Sequence, residues 1–413
     1  MVEGPTPDRR TRLLVLGAGP AQLGLLAAAR KRDLYVIAVD RDADAPGFRY
    51  ADRRAIVSTE DEHGVERLAE AERVDGLIAP GIDWPVGIAA RVAAKLGLPH
   101  PLPPEAAALA TSKTRQRERF AAEGVPQVEY RSCRTLDDGR WAADELGYPC
   151  VVKAPDRQGQ RGVSVVGERH ELEDAVASSL DLSRSGAFLV EQLVNGHEVT
   201  VNAFLLGGRF HALTITDRHL ATPPAFGVAL AHSWPSVRPT AQIAQAIDTA
   251  RRASAALGIA DGPTYTQVIV SEDGPVVGEL AARLGGGHDA ELCRAALRVD
   301  LNQLAISAAL GEHVRRTRLA PQARVGGACV RFLVAPPGKL RAVEGLDEAF
   351  EVEGVRGIRI YRKPAHVFGP LRSGADRAGA ILAVGDSAEE ALERADRARS
   401  LVRFEVEHAR VVA

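Results

Sequence analysis

Short apolar runs alternate with longer amphipathic stretches through the first hundred residues. Residues 12–16 (RLLVL), 34–39, 55–57 and 76–79 read as strands, and 22–30, 64–72 and 86–96 between them as helices. Strands this short and apolar are buried on both faces, so the alternation predicts a parallel sheet wrapped by helices. Such sheets hold ligands beyond the carboxyl ends of their strands. Pro99, Pro101, Pro103 and Pro104 break the pattern and predict a connection. A helix follows over 112–123, ended by Gly124 with Pro126 beyond it. Strands are expected at 146–152, 162–166 and 188–190. A hairpin joins 199–206 to 210–216 across Gly207-Gly208, and a second joins 264–270 to 276–280 across Glu272-Asp273-Gly274. Helices are expected at 243–257, 289–297 and 301–310. From Val325 the pattern turns strand-rich, with 328–334, 357–361 and 379–384, a turn at Pro336-Pro337-Gly338, and a closing helix over 388–401.

At about 150 residues per domain, 413 residues predict two or three domains. With 46% hydrophobic and 26% charged residues the chain is that of a globular protein, not a disordered one. The 52 basic against 54 acidic residues give no support to a nucleic-acid partner. No run of about 18 apolar residues predicts a membrane span, and the opening MVEGPTPDRR lacks the apolar core of a signal peptide, so a cytoplasmic protein is expected. Cys133, Cys150, Cys293 and Cys329 are far apart with no CxxC, and are expected as reduced thiols.

Gly17-Ala18-Gly19 after a strand, with Asp40 ending the next, invites a dinucleotide reading. The third glycine, Gly24, falls five positions after Gly19 instead of three, and Gln22 stands in its place. A glycine turn that holds no NAD is the preferred expectation.

The stronger signal lies between residues 113 and 288. Lys153 ends an apolar strand and can reach a phosphate as a point charge. The loop after it, with Gln158, Gly159 and Gly162, can fold its N–H groups over phosphates and move as a lid. Glu191 and Glu198 flank an apolar segment suited to adenine and ribose. Gln267 and Glu279 sit on facing strands of a hairpin, where hard oxygen donors suit Mg²⁺. Arg283 follows Glu279 by four, and Gly285-Gly286-Gly287 follows Arg283.

In this order the set resembles the ATP-grasp carboxylate–amine ligases, over nearly the whole chain, in their L-amino-acid/dipeptide ligase-like and biotin carboxylase-like branches. GAGPAQLGLLAAARKRDLYVIAVDRD resembles the pre-ATP-grasp domain, SKTRQRERFAAEGVP the lysine-bearing helix, and VVKAPDRQGQRGVSVV the adenine-side lysine strand with its phosphate loop. VEQLVNGHEVTV matches E-x-x-x-x-G-x-E, and GELAARLGGGH resembles the metal and phosphate strand. The resemblance implies an α/β protein with a Rossmann-like pre-ATP-grasp domain (11–112), an ATP-grasp fold (113–324, with a lid-side subdomain 113–190 and a central part 191–324) and a C-terminal strand-rich α+β accessory domain (325–413).

For the site it implies Lys113, Lys153, Gln158, Gly159, Gly162, Glu191, Leu193 and Glu198 on ATP. Glu191 would meet the adenine amine and Glu198 the ribose. Gln267 and Glu279 would hold Mg²⁺, with Mn²⁺ as a substitute. Arg283 and Lys113 would serve catalysis. HSWPS resembles the H-x-x-P-S segment of the L-amino-acid ligase branch, which offers His232 and Ser236 to substrate beside Gly286, Gly287 and His288. Three departures stand out: Gln267 replaces the common Glu, Ala281 the common Asn, and Ala229 an acidic residue that would suit a donor ammonium. Side-chain-free Gly287 is expected to leave room for a bulky donor acid. The implied reaction joins a small-molecule carboxylic acid to an amine through an acyl phosphate, in a homodimer, without nucleic acid or membrane. A carboxylase or phosphoribosyl-amine-type ligase on the same scaffold, and a non-catalytic nucleotide-binding protein, stand as alternatives.

Overall fold

A computed structural model describes residues 9–222, 225–322 and 325–407. Its first sheet has four parallel strands in the order Arg53–Ile56, Tyr35–Asp40, Arg12–Leu16, Gly76–Ile78. Alternate residues of strand Arg12–Leu16 serve opposite cores: Leu13 and Val15 pack with Leu23 and Leu26, Leu14 and Leu16 with Val65 and Ile88. The period-two pleat thereby buries both faces of the sheet under helices. Neighbouring side chains brace the Gly17–Gly19 turn, which borders an open cleft. The Asp40 carboxylate accepts from the Ala18 N–H at 2.9 Å, and the Gln22 amide donates to the Pro80 carbonyl at 2.6 Å. Gly24 has a different cause from the one a dinucleotide fingerprint would give it. A β-carbon there would lie 1.5 Å from Glu291 Oε1, so it is glycine because two helices approach closely.

Residues 130–192 hold a four-stranded antiparallel sheet, in the order Tyr130–Cys133, Phe188–Gln192, Cys150–Lys153, Val163–Val166. It has a small core of its own around Cys133, Ala143, Val176, Phe188 and Val190. The expected strand at 146–152 is shorter. A helix, Leu136–Leu146, takes its first residue, started by a reciprocal cap between Thr135 and Asp138. Helix Lys113–Ala122, capped by the Ser112 hydroxyl, places Lys113 at its first turn, where the Lys113 N–H donates to the Pro155 carbonyl.

The largest sheet has eight antiparallel strands: Gly274–Ala281, Gly262–Ser271, His197–Leu206, Arg209–Leu220, Ala229–Trp234, Gly327–Leu333, Gly379–Gly385 and Val355–Ile360. Strand Ala229–Trp234 pairs with Gly327–Leu333, so the sheet continues across residue 325. Leu26, Leu292, Leu304, Val330 and Val384 share one core, tying the first sheet to both halves of the large one. A three-stranded sheet, Val367–Phe368, Gly338–Glu344 and Arg403–Glu407, closes the C-terminal end. Among the described residues no helix is long and apolar enough to cross a membrane.

Candidate active site

A cleft of about 410 Å³ opens where these parts meet. The N-terminal domain contributes Gln22 and Asp83, and the loop after Lys153 contributes Gln158 and Gly159. The large sheet contributes Arg218, His232, Tyr265, Gln267, Glu279 and Arg283, and the C-terminal part Phe332, Tyr361 and Arg377.

Gln267 and Glu279 are cross-strand partners in their hairpin, so their side chains share one face. Glu279 Oε1 lies 2.9 Å from Lys113 Nζ, which also donates to the Arg157 carbonyl at 2.5 Å. Burial opposes the charge of Glu279, yet Lys113, Lys153 and Arg283 hold its pKa below the ordinary range. Lys113 thus approaches the phosphate loop and the carboxylate expected to bind metal.

Lys153 and Glu191 face each other at 2.7 Å, and Arg117 takes the other Glu191 oxygen at 2.9 Å. Arg117 also donates to the Val277 and Gly278 carbonyls, which fastens the small sheet to the large one. Burial lowers the pKa of Lys153, against the pull of Glu191. Glu191 therefore gives both carboxylate oxygens to cations, not to an adenine amine, in this state. Leu193 follows it, half-buried, just beyond strand Phe188–Gln192. Glu198, expected at a ribose, is held at 2.8 Å by Arg218, whose guanidinium also donates to the Tyr265 hydroxyl at 2.6 Å. Gly159 accepts from the Gly374 N–H at 3.1 Å, and Gly162 from the Ala154 N–H at 2.9 Å, so the phosphate loop touches the C-terminal part.

Arg283 is clamped by Asp83 at 2.6 Å, from the N-terminal domain, and donates to the Leu284 carbonyl. The second Asp83 oxygen is buried with no partner among the described residues. His232 is buried on the cleft wall, with Nδ1 3.2 Å from Asp289 Oδ1. The space beside Gly287 is not open: a β-carbon there would lie 2.6 Å from His232 Cε1. The expectation that Gly287 leaves room for a bulky donor is corrected, because the imidazole fills that room. Gly286 approaches the Gly81 carbonyl in the same way. Ser236 donates to Asp217 at 2.6 Å, and its N–H to the Ile215 carbonyl, so it ties a turn together and does not line the cleft. His288 lies one layer behind, with Nε2 2.5 Å from the Tyr361 hydroxyl. Burial drives its pKa down to about 4.

Sequence reasoning missed Asp83, Arg218, Asp289, Tyr361 and Arg377. Arg377 lies 3.7 Å over the Phe332 ring and donates to the Ala229 carbonyl. Among the described residues no carboxylate forms an ion pair with it, its Nε has no partner, and burial lowers its pKa to about 10. A guanidinium buried on a cleft wall without a counter-charge suits an anion from solution. Only Asp83 left a sequence signal, as an acidic residue just beyond a strand end. The four cysteines are buried and free.

Residues 146–291 match the family model of an ATP-grasp domain, and residues 331–407 that of an L-amino acid ligase C-terminal domain 2. The chain is 30% identical over 416 residues to a formate-dependent phosphoribosylglycinamide formyltransferase of Burkholderia vietnamiensis, covering 97% of this chain and 96% of that one. It is 32% identical over 308 residues to an uncharacterized protein of Sinorhizobium fredii, covering 73% of this chain and 62% of that protein's length. The fold is similar to that of an L-amino acid ligase from Bacillus licheniformis (TM-score 0.82, 21% identity, 97% of this chain and 100% of the other). It is also similar to a phosphoribosylglycinamide synthetase from Anaerococcus prevotii (TM-score 0.75, 19% identity, 97% and 100%).

Proposed function

The chain belongs to the ATP-grasp family of ATP-dependent, carbon–nitrogen bond-forming enzymes, and within it we propose a ligase that joins a small carboxylic acid to an amine through an acyl phosphate, releasing ADP and phosphate. The observation that carries this reading is Glu279 and Arg283 on one cleft wall, with Lys113 on Glu279 at 2.9 Å and Arg283 held by Asp83.

The donor carboxylate attacks the γ-phosphorus of ATP, and the amine then attacks the acyl carbon. Both steps need negative charge neutralised in a site shielded from water. Lys113 and Lys153 are the cations this reading assigns to the phosphates. Arg283, oriented through its Nε by Asp83, keeps a terminal nitrogen for the acyl phosphate, a directed contact that lysine could not fix as well. Gln158, Gly159 and Gly162 form the covering loop, which keeps water from the intermediate. Glu279 and Gln267 supply one carboxylate and one amide oxygen on one face of a hairpin, a sparse hard-donor set that fits Mg²⁺ completed by phosphate and water. Mg²⁺ bound there supplies charge neutralisation for the phosphates. Mn²⁺ as a substitute, a homodimer and a cytoplasmic location belong to the same reading.

A phosphoribosyl-amine-type substrate is the second reading. It is favoured by the 30% identical relative and by Arg377, whose missing counter-charge suits an anionic group on a substrate. Substrate-dependent ADP release, measured across amino acids, other small acids, amines and phosphorylated amines, with and without bicarbonate, tests these readings. Bicarbonate-dependent turnover would point to a carboxylase, and no ADP release with any set would contradict catalysis.

A further inference from the structure

His232 and Asp289 meet on the cleft wall from different elements. His232 lies within strand Ala229–Trp234, opposite Arg218 on one neighbour and Val330 on the other. Asp289 opens helix Asp289–Leu297 after the glycine run. His232 is 2% and Asp289 1% exposed, and Nδ1 is 3.2 Å from Oδ1. The other Asp289 oxygen accepts from the Gly287 N–H at 3.2 Å, and the Asn202 amide reaches Oδ1 at 3.4 Å. The imidazole stands edge-on to Phe332, with ring centroids 5.6 Å apart. Among the described residues Nε2 has no partner, while Nδ1 faces only Asp289. Buried polar groups are normally satisfied, so an unsatisfied imidazole on a cleft wall points to a ligand.

The charged groups around the ring are Asp289, Arg218, Arg377 and, on the adjacent strand, His219. Burial lowers the ring's proton affinity, Asp289 opposes this, and the two arginines add to it, so the imidazole is neutral near pH 7.

Resting on the ligase reading above, we propose that His232 takes the proton from the attacking amine, and that Asp289 is a positioning residue that holds the Nδ1–H so that Nε2 carries the free lone pair. In this step the amine nitrogen bonds to the acyl carbon, and the bond from that carbon to the phosphate oxygen breaks. The leaving phosphate keeps the electron pair, and the nitrogen's proton passes to Nε2. Asp289 steers the tautomer and stabilises the imidazolium without taking the proton itself. Gly287 belongs to the same arrangement, because a side chain there would occupy the ring's place.

Hydroxylamine separates this role from donor activation. It is unprotonated at neutral pH and captures an acyl phosphate as a hydroxamate without needing a base. Wild type, His232→Asn and Asp289→Asn are given Mg-ATP and an equimolar mixture of L-amino acids with short-chain and aromatic carboxylic acids. Hydroxamate is read with hydroxylamine present, and amide with the mixture's own amines. In His232→Asn, amide formation is expected to fall about 100-fold or more, while hydroxamate stays within about threefold. In Asp289→Asn, the acidic limb of the amide pH profile is expected to move to lower pH, because the imidazole loses its counter-charge. A parallel fall of both products in His232→Asn, or an unmoved limb in Asp289→Asn, overturns the proposal. His232→Gln, closer in volume, repeats the test if the Asn variant does not fold. Wild type that forms hydroxamate but no amide keeps the acyl-phosphate reading and overturns the base assignment. Wild type that forms neither contradicts the ligase reading, and the proposal falls with it.

Discussion

Lys113 and Glu279, the lysine expected on phosphate and the carboxylate expected on metal, hold one another at 2.9 Å. Each neutralises the other, so a cation on Glu279 and a phosphate on Lys113 would both compete with this pair. Metal and nucleotide should therefore bind together: calorimetry should show far weaker ATP binding in EDTA than with Mg²⁺. Glu279→Gln should lower turnover at least 100-fold and remove most of the Mg²⁺ dependence of ATP affinity. Equal ATP affinity with and without Mg²⁺ would contradict this arrangement.

The glycine turn at residues 17–19 is braced by neighbouring side chains, with Asp40 on the Ala18 N–H and Gln22 on the Pro80 carbonyl, and Gln22 stands where a dinucleotide fingerprint has its third glycine. The protein should bind Mg-ATP and give no calorimetric signal with NADH. Tight NADH binding with no heat from ATP would sink the nucleotide assignment.

Lys153→Ala and Arg283→Ala should both abolish efficient turnover, by different routes. Lys153→Ala should weaken nucleotide binding and rate together, and it leaves Glu191 still paired with Arg117. Arg283→Ala should lower kcat more than tenfold, about 1.4 kcal/mol, with ATP affinity nearly unchanged. If it keeps more than a tenth of wild-type kcat, the clamp role given to Arg283 is wrong.

A tryptophan at position 287 should act through His232, not through the size of the donor. Because the β-carbon would meet the imidazole at 2.6 Å, Gly287→Trp should depress turnover with small and large donors alike. Loss of large donors only, with small ones retained, would restore the open-pocket reading.

Several ionised groups are stabilised by the fold. Glu191 and Glu279 are buried, which opposes their charge, but Arg117 with Lys153, and Lys113, hold their pKa values below the ordinary carboxylate range. Carboxylates of this kind add stability that is complete above about pH 4.5 and is lost as pH falls below it through their folded values. Thermal melts should thus hold their midpoint from pH 7 to about 5 and drop steeply below 4.5. A midpoint that falls evenly from pH 7 would argue against these pairs.

The parallel N-terminal strands, both hairpins and the phosphate loop were legible in the chain because each is a local pattern. Lys113, Lys153, Gln267, Glu279 and Arg283 were legible because their order along the chain carries the family resemblance. What pairs with them was not. Asp83 and Arg283 are 200 positions apart, and His232 and Asp289 come from separate elements. Strand Ala229–Trp234 is short and mixed in polarity, and only its pairing with Gly327–Leu333 reveals that the large sheet runs into the C-terminal part. Helix Leu172–Leu182 carries its apolar Leu172, Ala175 and Val176 on one face, packed against the small sheet. The room beside Gly287 was misread because a glycine in sequence looks like empty space, whereas here it admits a neighbouring ring.

The central claim is an acyl phosphate formed on a donor carboxylate. The most direct measurement uses the donors picked out by hydroxamate formation, labelled with ¹⁸O in the carboxylate, and reads the released phosphate by mass spectrometry. The account predicts one ¹⁸O in each phosphate, transferred when the acyl carbon–oxygen bond breaks. Phosphate released without ¹⁸O, at the same rate as ADP, would contradict it.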